Sequence, residues 1–409
     1  MFKKVVLKSL GLVFAVGFAM LVYNTDFSNV FTQPNGSYIT YDDVSQINED
    51  APFGKFVSAA LNEKEVKVGN EIVKQSSLKF KLFGFLTLKE VSVHLADAKL
   101  VYVGGIPLGF ALETKGVIVI GENSVLTAEG DIIPHKSEKF VAGDILTKID
   151  DKSIIGAQSI VEALADCKGE ELTITAKRKN KEFKVNLKPA LDLESGKYKL
   201  GLWVRDDASG VGTLTYVDKD TLGYGALGHP ITDYETGAVV PVQDGKIYNC
   251  TLVGINKGEK GKPGELRCLF MQGKNHKGSV SKNTQSGVFG KIENLKGIVD
   301  ENLMVEIGGR MSVKPGLAKI VSSVSGVREE YEIEIIKANN QRKLSDKGLI
   351  FRVKDKRLLE LTGGILQGMS GSPILQDGKL VGAVTHVFLN DPTKGYGIYA
   401  EWMLYEAAI

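Results

Sequence analysis

Along most of this chain, apolar and polar positions alternate in short runs, the pattern of strands with one face buried. Residues 79–88 and 91–95 read this way, as do 172–176 and 183–187, the latter two joined by a polar turn at 178–181. Further strand-like runs fall at 212–217, 331–336 and 379–388. Asp377-Gly378, between the apolar pairs Ile374-Leu375 and Leu380-Val381, is a two-residue hairpin signal. A helical period is rare: within 157–167, Ile160, Val161, Ala163 and Leu164 define one short amphipathic helix, and a second short helix is expected at the C-terminus. The expected fold is therefore mainly β, with 191–409 forming one β-rich unit of barrel or sandwich type.

The N-terminus departs from this pattern. Lys3, Lys4 and Lys8 precede an uncharged stretch, 9–25, whose apolar core is 10–23. A basic flank before an apolar run is the form of a secretory signal or anchor. No small-residue cleavage site follows, so 1–25 reads as an uncleaved signal anchor, with its lysines cytoplasmic and the remainder exported. Residues 26–98 form a juxtamembrane, β-containing segment in which His94 is a sheet residue.

Composition excludes several classes. Of 409 residues, 43% are hydrophobic and 24% charged, which suits a globular chain rather than a disordered or multispan one. Lys and Arg number 51 against 49 Asp and Glu, without long runs of one sign, so no nucleic-acid surface is expected. The three cysteines, Cys167, Cys250 and Cys268, do not make a disulfide framework and are expected as buried free thiols, Cys250–Cys268 being the one bridge conceivable outside the cell. With five scattered histidines and neither HExxH nor CxxC, no metal site and no cofactor are expected.

Residues 99–190 carry an ordered set of signals. Gly104-Gly105-Ile106-Pro107-Leu108-Gly109-Phe110 lies between extended runs, Gly143-Asp144-Ile145-Leu146 enters a strand, and the short helix and closing hairpin follow. This order resembles a PDZ domain. The resemblance implies that the Leu108, Gly109 and Phe110 turn presents backbone N–H groups to a peptide's terminal carboxylate, beside a strand edge that the peptide extends.

Chemistry concentrates in Gln367-Gly368-Met369-Ser370-Gly371-Ser372-Pro373. A nucleophilic serine needs an exposed hydroxyl, small neighbours and two N–H groups converging on the developing oxyanion. Glycines beside Ser370 permit such a tight turn, and the N–H groups of Gly368 and Ser370 are the natural oxyanion donors. The stretch from Gly368 to Thr385 resembles chymotrypsin-like proteases around their nucleophile, with Met369 and Ser372 departing from that pattern. In such enzymes the strand after the hairpin pairs with substrate, a role that would fall on Thr385, His386 and Val387.

The general base must be a histidine, and 191–409 offers His229, His276 and His386. His229 follows a strand and a glycine turn in Gly225-Ala226-Leu227-Gly228-His229-Pro230-Ile231-Thr232-Asp233, and it precedes the serine in the chain, as in chymotrypsin-like enzymes. His276 reads as a solvent-loop residue and His386 as a strand residue. Gly223-Tyr224-Gly225-Ala226-Leu227-Gly228 also satisfies GxGxxG, but no helix opens there, so a dinucleotide site is not expected.

Together, Gly225–Asp233, Gln367–Pro373 and the His386-Val387-Phe388-Leu389-Asn390-Asp391-Pro392-Thr393 run resemble the stage IV sporulation protein B peptidases of endospore-forming bacteria. The order of membrane segment, PDZ domain and peptidase domain matches as well. The resemblance implies a serine endopeptidase using Ser370, His229 and Asp355, working between mother cell and forespore. It would cut itself and a membrane-bound regulator of an intramembrane metalloprotease, so leading to activation of a late sigma factor. By spacing alone, Asp300 and Asp233 compete with Asp355 for the carboxylate that fixes the imidazole. A silent scaffold of the same fold and a general quality-control protease are the rival readings.

Overall fold

The computed structural model describes residues 37–39, 44, 57–68, 71–95, 99–134, 140–178, 181–273, 275–339, 341 and 343–408. The expected signal anchor, 1–25, and the terminal Ile409 lie outside them. Among the described residues no helix is long and apolar enough to cross a membrane.

The segment expected to lie next to a membrane holds a sheet of four strands, β1 (Ser37–Ile39), β2 (Val57–Val68), β3 (Glu71–Leu82) and β4 (Leu86–Leu95), in the order β1-β4-β3-β2. His94 sits on β4 opposite Tyr38. Ala59, Leu78, Phe80, Val91 and Val93 make its small core, as the alternation predicts.

Next come β5 (Leu100–Val103) and the long β6 (Pro107–Glu122). A compact insertion follows: β7 (Val125–Thr127), β8 (Gly130–Ile132), β9 (Ile145–Ile149), β10 (Lys152–Ser153), α1 (Ala157–Ala165), β11 (Leu172–Arg178), β12 (Lys181–Leu187), β13 (Ala190–Leu191) and β14 (Tyr198–Lys199). Helix α1 buries Ile160, Ala163 and Leu164 in a core with Val117, Val119, Leu146 and Ile174.

The chain then re-enters along β15 (Leu202–Asp218), which runs antiparallel to β6 over nearly its full length. A register irregularity between Arg205 and Asp207 divides this ribbon. On one side, Leu202–Arg205 pairs with the insertion's end of β6; on the other, Asp207–Thr213 pairs with residues 107–113. At the division, the Asp206 carboxylate accepts the Ala157 N–H at the start of α1 (2.7 Å), an acidic partner suited to a helix N-terminus.

The next strands are β16 (Gly223–Ala226), β17 (Val242–Asn249), β18 (Thr251–Asn256), β19 (Gly264–Leu269), β20 (Gly278–Thr284) and β21 (Gly287–Ile292). Pairings β6–β15–β16–β21–β20–β17–β6 close a six-stranded antiparallel ring. Its interior holds Leu108, Phe110, Leu112, Leu214, Tyr224, Ile247 and Val288.

The turn expected to bind a peptide carboxylate therefore has a different place. Leu108 and Phe110 are fully buried in this first barrel. Leu108, Gly109 and Phe110 are paired on one side with Val211, Gly210 and their neighbour Gly212, and on the other with Ile247, Tyr248 and Asn249. Gly109 lies against the Phe270 ring, where a Cβ would come within 2.2 Å of a ring carbon; that close approach, not ligand binding, calls for glycine. The boundary at 99 likewise moves: residues 107–114 belong to the first barrel, and the insertion occupies the stretch between the barrel's first two strands.

The second ring is uninterrupted. After β22 (Met304–Ile307) come β23 (Gly316–Ser322), β24 (Glu329–Ala338), β25 (Leu349–Val353), α2 (Lys356–Thr362), β26 (Leu366–Gln367), β27 (Pro373–Gln376), β28 (Lys379–Val387), β29 (Lys394–Tyr399) and α3 (Ala400–Ala408). Pairings β23–β24–β25–β29–β28–β27–β23 close it. Ile320, Tyr331, Ile333, Phe351, Ile374 and Val384 fill it. Between the barrels, Val103, Tyr216, Phe289, Leu380, Ala383 and Ile398 form a shared apolar layer. The expected barrel architecture is present, as a pair.

Candidate active site

The site lies where the two barrels meet. From the first barrel, β16 ends in two left-handed residues, Leu227 (φ 65°) and Gly228 (φ 72°). A leucine in that region costs on the order of 1–3 kcal/mol and is held only by its surroundings; here Leu227 N–H donates to Thr213 O (3.1 Å) and the side chain sits in the barrel core. The turn delivers His229 toward β28: a Cβ on Gly228 would stand 2.9 Å from the Thr385 methyl and 3.0 Å from Ile398.

From the second barrel comes the nucleophile loop, 368–372. Gly371 is left-handed (φ 97°), and any side chain there would overlap the Thr213 carbonyl. Strand β15 clamps this loop at three points. Thr213 N–H donates to Ser370 O (2.8 Å), Thr213 Oγ1 to Gly368 O (2.8 Å), and Thr215 Oγ1 to Gly371 O (2.8 Å). On the opposite flank Gly371 N–H donates to Val384 O (2.7 Å). With its carbonyls so committed, the loop turns the N–H groups of Gly368 and Ser370 toward no acceptor among the described residues. Two such neighbouring donors are what an oxyanion would require.

Ser370 Oγ donates to Thr385 O (2.8 Å), so the hydroxyl rests on β28 and makes no hydrogen bond to His229. Thr385 is buried, while His386 and Val387 are half-buried. Beyond Ala383, β28 has no paired strand on the β27 side among the described residues, which leaves the Thr385–Val387 stretch with an edge beside the serine.

His229 Nδ1 lies 2.9 Å from Pro230 O. A carbonyl can only accept, so Nδ1 carries the hydrogen and Nε2 keeps its lone pair, the tautomer of a general base. Burial pulls this histidine below its ordinary value, opposed by the Pro230 carbonyl and the Asp346 charge. It is therefore neutral, and able to accept a proton, across the neutral range. Its ring stands 5.3 Å, centroid to centroid, from that of His386. The His386 Nε2 in turn faces Asp346 Oδ2 at 3.7 Å.

Of the expected residues, Ser370, Gly368, His229, Thr385 and His386 share this junction. Asp355 sits elsewhere in the bonding scheme. It is the N-cap of α2, accepting from Arg357 N–H (2.9 Å) and from the Arg357 guanidinium (2.9 Å). Arg357 and the Glu332 N–H hold its carboxyl below the usual range. Asp233 is bound by Arg205 and Thr236, and Asp300 faces Arg328 at 3.7 Å. His276 pairs with Glu293 (2.9 Å). Sequence reading overlooked Thr213, Thr215 and Asp346. The two threonines did carry a signal, since they alternate on one face of a strand; Asp346, in the loop between β24 and β25, carried none.

Cys167 is buried as expected, but Cys250 and Cys268 are half-buried free thiols, and the neighbouring Cys268 together with burial pushes the Cys250 thiol up. They sit at the β18–β19 hairpin, whose Gly264 and Glu265 pair with Leu366 and Gln367 just ahead of the nucleophile loop. Among the described residues no three His, Cys, Asp or Glu side chains gather as a metal site.

Paired antiparallel barrels with a serine loop and a histidine at their junction are the framework of a serine peptidase. The family model for SpoIVB peptidase S55 matches residues 196–404, about half of the chain, and the chain belongs to that family. It is accordingly a serine peptidase, a hydrolase acting on protein substrates. Among solved structures, the chain is similar to the PDZ domain of an SdrC-like protein from Listeria monocytogenes, with 24% identity over 22% of this chain and 90% of that one (TM-score 0.18). It is also similar to the Rv3671c protease in its inactive form, with 12% identity over 48% of this chain and 83% of that one (TM-score 0.24). No curated protein matches it.

Proposed function

We propose that this peptidase is a membrane-tethered signalling endopeptidase of sporulation, which cleaves itself and a membrane-associated regulator. Ser370 is the nucleophile, His229 the base, and the Gly368 and Ser370 N–H groups the oxyanion donors. His229 Nε2 takes the Ser370 proton as Oγ attacks the peptide carbonyl. The proton then passes to the leaving amine, and water releases the acyl group. The substrate strand adds along Thr385–Val387. The regulator would control an intramembrane metalloprotease, with the catalytic barrels on the outer side of the membrane that residues 1–25 enter. The inserted unit is read as PDZ-like, with a peptide-guiding or restraining role.

One observation carries the catalytic part: the clamp of Thr213 and Thr215 on the carbonyls of the nucleophile loop, which leaves the N–H groups of Gly368 and Ser370 without acceptors among the described residues. The Ser370–Thr385 bond gives a resting state in which the hydroxyl must turn before it meets the base. Incubating the full chain, wild type and Ser370→Ala, and measuring intact mass tests the assignment. Truncation only in the wild type, together with labelling of Ser370 by a fluorophosphonate, is the expected result. Equal stability of both proteins and no labelling would leave a scaffold. Indiscriminate digestion of unfolded casein would favour a quality-control protease over a signalling one.

A further inference from the structure

The Asp377-Gly378 hairpin has the residues that its left-handed turn calls for (φ 51° and 76°). The turn between β3 and β4 does not. It reads Phe83-Gly84-Phe85, with Leu86 opening β4, and the Phe85 N–H closes it on Leu82 O (3.3 Å). Phe83 is left-handed (φ 53°), where a bulky side chain is an outlier. Phe83, Phe85 and Leu86 are 51%, 78% and 52% exposed, so burial in a core does not account for them. The two rings stack, with centroids 6.4 Å apart and planes at 25°. A strained turn that holds two rings and a leucine outward, with no polar side chain among them, is a contact surface for an apolar partner.

The collar of this tip is basic. Residues 79–90 carry Lys79, Lys81 and Lys89 against Glu90, a net of +2 (3 − 1). Glu90 is itself held by Ser77 (2.6 Å) and Lys79 (3.7 Å). The other acids on the strands of this sheet, Glu63, Glu65 and Glu71, lie toward its far end, where β2 turns into β3. Apolar rings tipped with lysines suit a bilayer of anionic headgroups: the rings enter the acyl boundary and the ammonium groups stay among the phosphates.

Chain direction puts the tip on the same side as the N-terminal apolar run. Strand β1 is parallel to β4, Ser37 opposite Val93 and Ile39 opposite Leu95, and β4 runs away from the tip. The chain reaching Ser37 therefore comes from the tip's side. From Val93 back to Leu86 is about 23 Å of strand. Residues 26–36 span about 38 Å when fully extended, enough for the run at 10–23 and the tip to meet one bilayer surface. At its other end β4 leads from Leu95 to Leu100, the start of β5 in the barrels.

We propose that the β3–β4 turn docks in the surface of an anionic bilayer, with Phe83, Phe85 and Leu86 in the acyl boundary and Lys81 at the headgroups. The inference rests on the reading of 1–25 as a membrane anchor. A single tether limits only the distance of the barrels from the membrane, whereas a second contact also sets their orientation toward a membrane-associated substrate.

The test places the full chain in vesicles of phosphatidylcholine and phosphatidylglycerol whose acyl chains carry bromine, a contact quencher of indole. Phe85→Trp reports from the tip and Gln75→Trp from the same strand away from it, each read against the wild type with Trp203 and Trp402. All three proteins should float with the vesicles. The added emission of Phe85→Trp should be quenched and blue-shifted, and that of Gln75→Trp should not. Adding Lys81→Gln to Phe85→Trp should lower the docked-to-free ratio about fivefold. Adding Phe83→Gly should weaken quenching without lowering Tm, since glycine takes the left-handed position freely; a lowered Tm with quenching intact would make Phe83 a structural residue and count against docking. Flotation without quenching at Phe85→Trp would overturn the inference and leave the anchor standing. Equal quenching of both reporters would overturn the tip as the contact. A blue shift of Phe85→Trp that grows with protein concentration in the absence of vesicles would make the partner a second copy of the chain, not a lipid surface. Failure of the wild type to float would remove the anchor reading and this inference together.

Discussion

The first barrel is interrupted and the second is not, and the division of chemistry follows that difference. The first takes its opening strand from residues 107–114 and closes only after the inserted unit, through β15. It contributes His229 and a clamp, Thr213 and Thr215, to the site. The second barrel runs continuously from β23 to β29 and contributes Ser370, the His386 ring and Asp346. Strand β15 joins the two arrangements: one end pairs inside the insertion and the other grips the nucleophile loop. The interrupted barrel is tied to its neighbour by one main-chain hydrogen bond and two threonine hydroxyls that reach loop carbonyls. The residues with exacting chemistry sit mainly on the continuous barrel.

The sharpest way to break this comparison is Phe110→Ala. As a fully buried ring in the first barrel, Phe110 should cost about 3–5 kcal/mol on truncation. The loss would appear as a large fall in Tm and in peptidase activity alike. A variant that kept its Tm and lost only peptide binding would return Phe110 to a ligand turn of the insertion.

Thr213→Val probes the clamp. Leaving the Gly368 carbonyl without its donor should cost about 1–3 kcal/mol. It should also reduce kcat roughly tenfold as the oxyanion loop loosens, with acyl-enzyme formation measured by burst kinetics. An unchanged kcat would show that the loop's shape is set by the second barrel alone. Asp355→Ala, removing an N-cap from α2, should cost about 1 kcal/mol of stability, read from chemical denaturation.

The smallest effect is that of pH on the junction. Burial holds both His229 and His386 below their ordinary value. Below about pH 6.5, an ordinary histidine's pKa, the unfolded chain therefore binds protons that the folded chain refuses, and stability falls with acidification. Thermal melts should show Tm level above neutrality and declining as pH drops through this range. Replacing His386 by Gln should flatten the decline.

How legible the site was differs residue by residue. Ser370 and the donors at Gly368 and Ser370 could be proposed because a nucleophile loop is local, with its glycines close together in the chain. His229 could be named because the turn that re-aims the chain, Leu227-Gly228, immediately precedes it. Asp355 was implied by the family resemblance, with its nearness to Ser370 speaking against it, and the structure shows it as a cap: the chain turns into α2 at that residue, and Arg357 follows on the first turn. Leu108-Gly109-Phe110 misled for a related reason. A glycine between two apolar residues fits a binding turn and a crowded barrel strand equally, and only the neighbour, Phe270, distinguishes them.

By itself, then, the sequence determined the strand content, the hairpin at Asp377-Gly378, a short helix within 157–167 and the two residues proposed to carry the reaction. Each of these depends on alternation, turn chemistry or a few consecutive residues. Only the tertiary structure decided that residues 107–114 close a barrel with strands beginning some way beyond the insertion, and that Thr213 grips the serine loop. It alone brought Asp346 to His386 and His229. These depend on contacts between segments far apart in the chain, and periodicity along a strand records which face is buried but not which partner buries it.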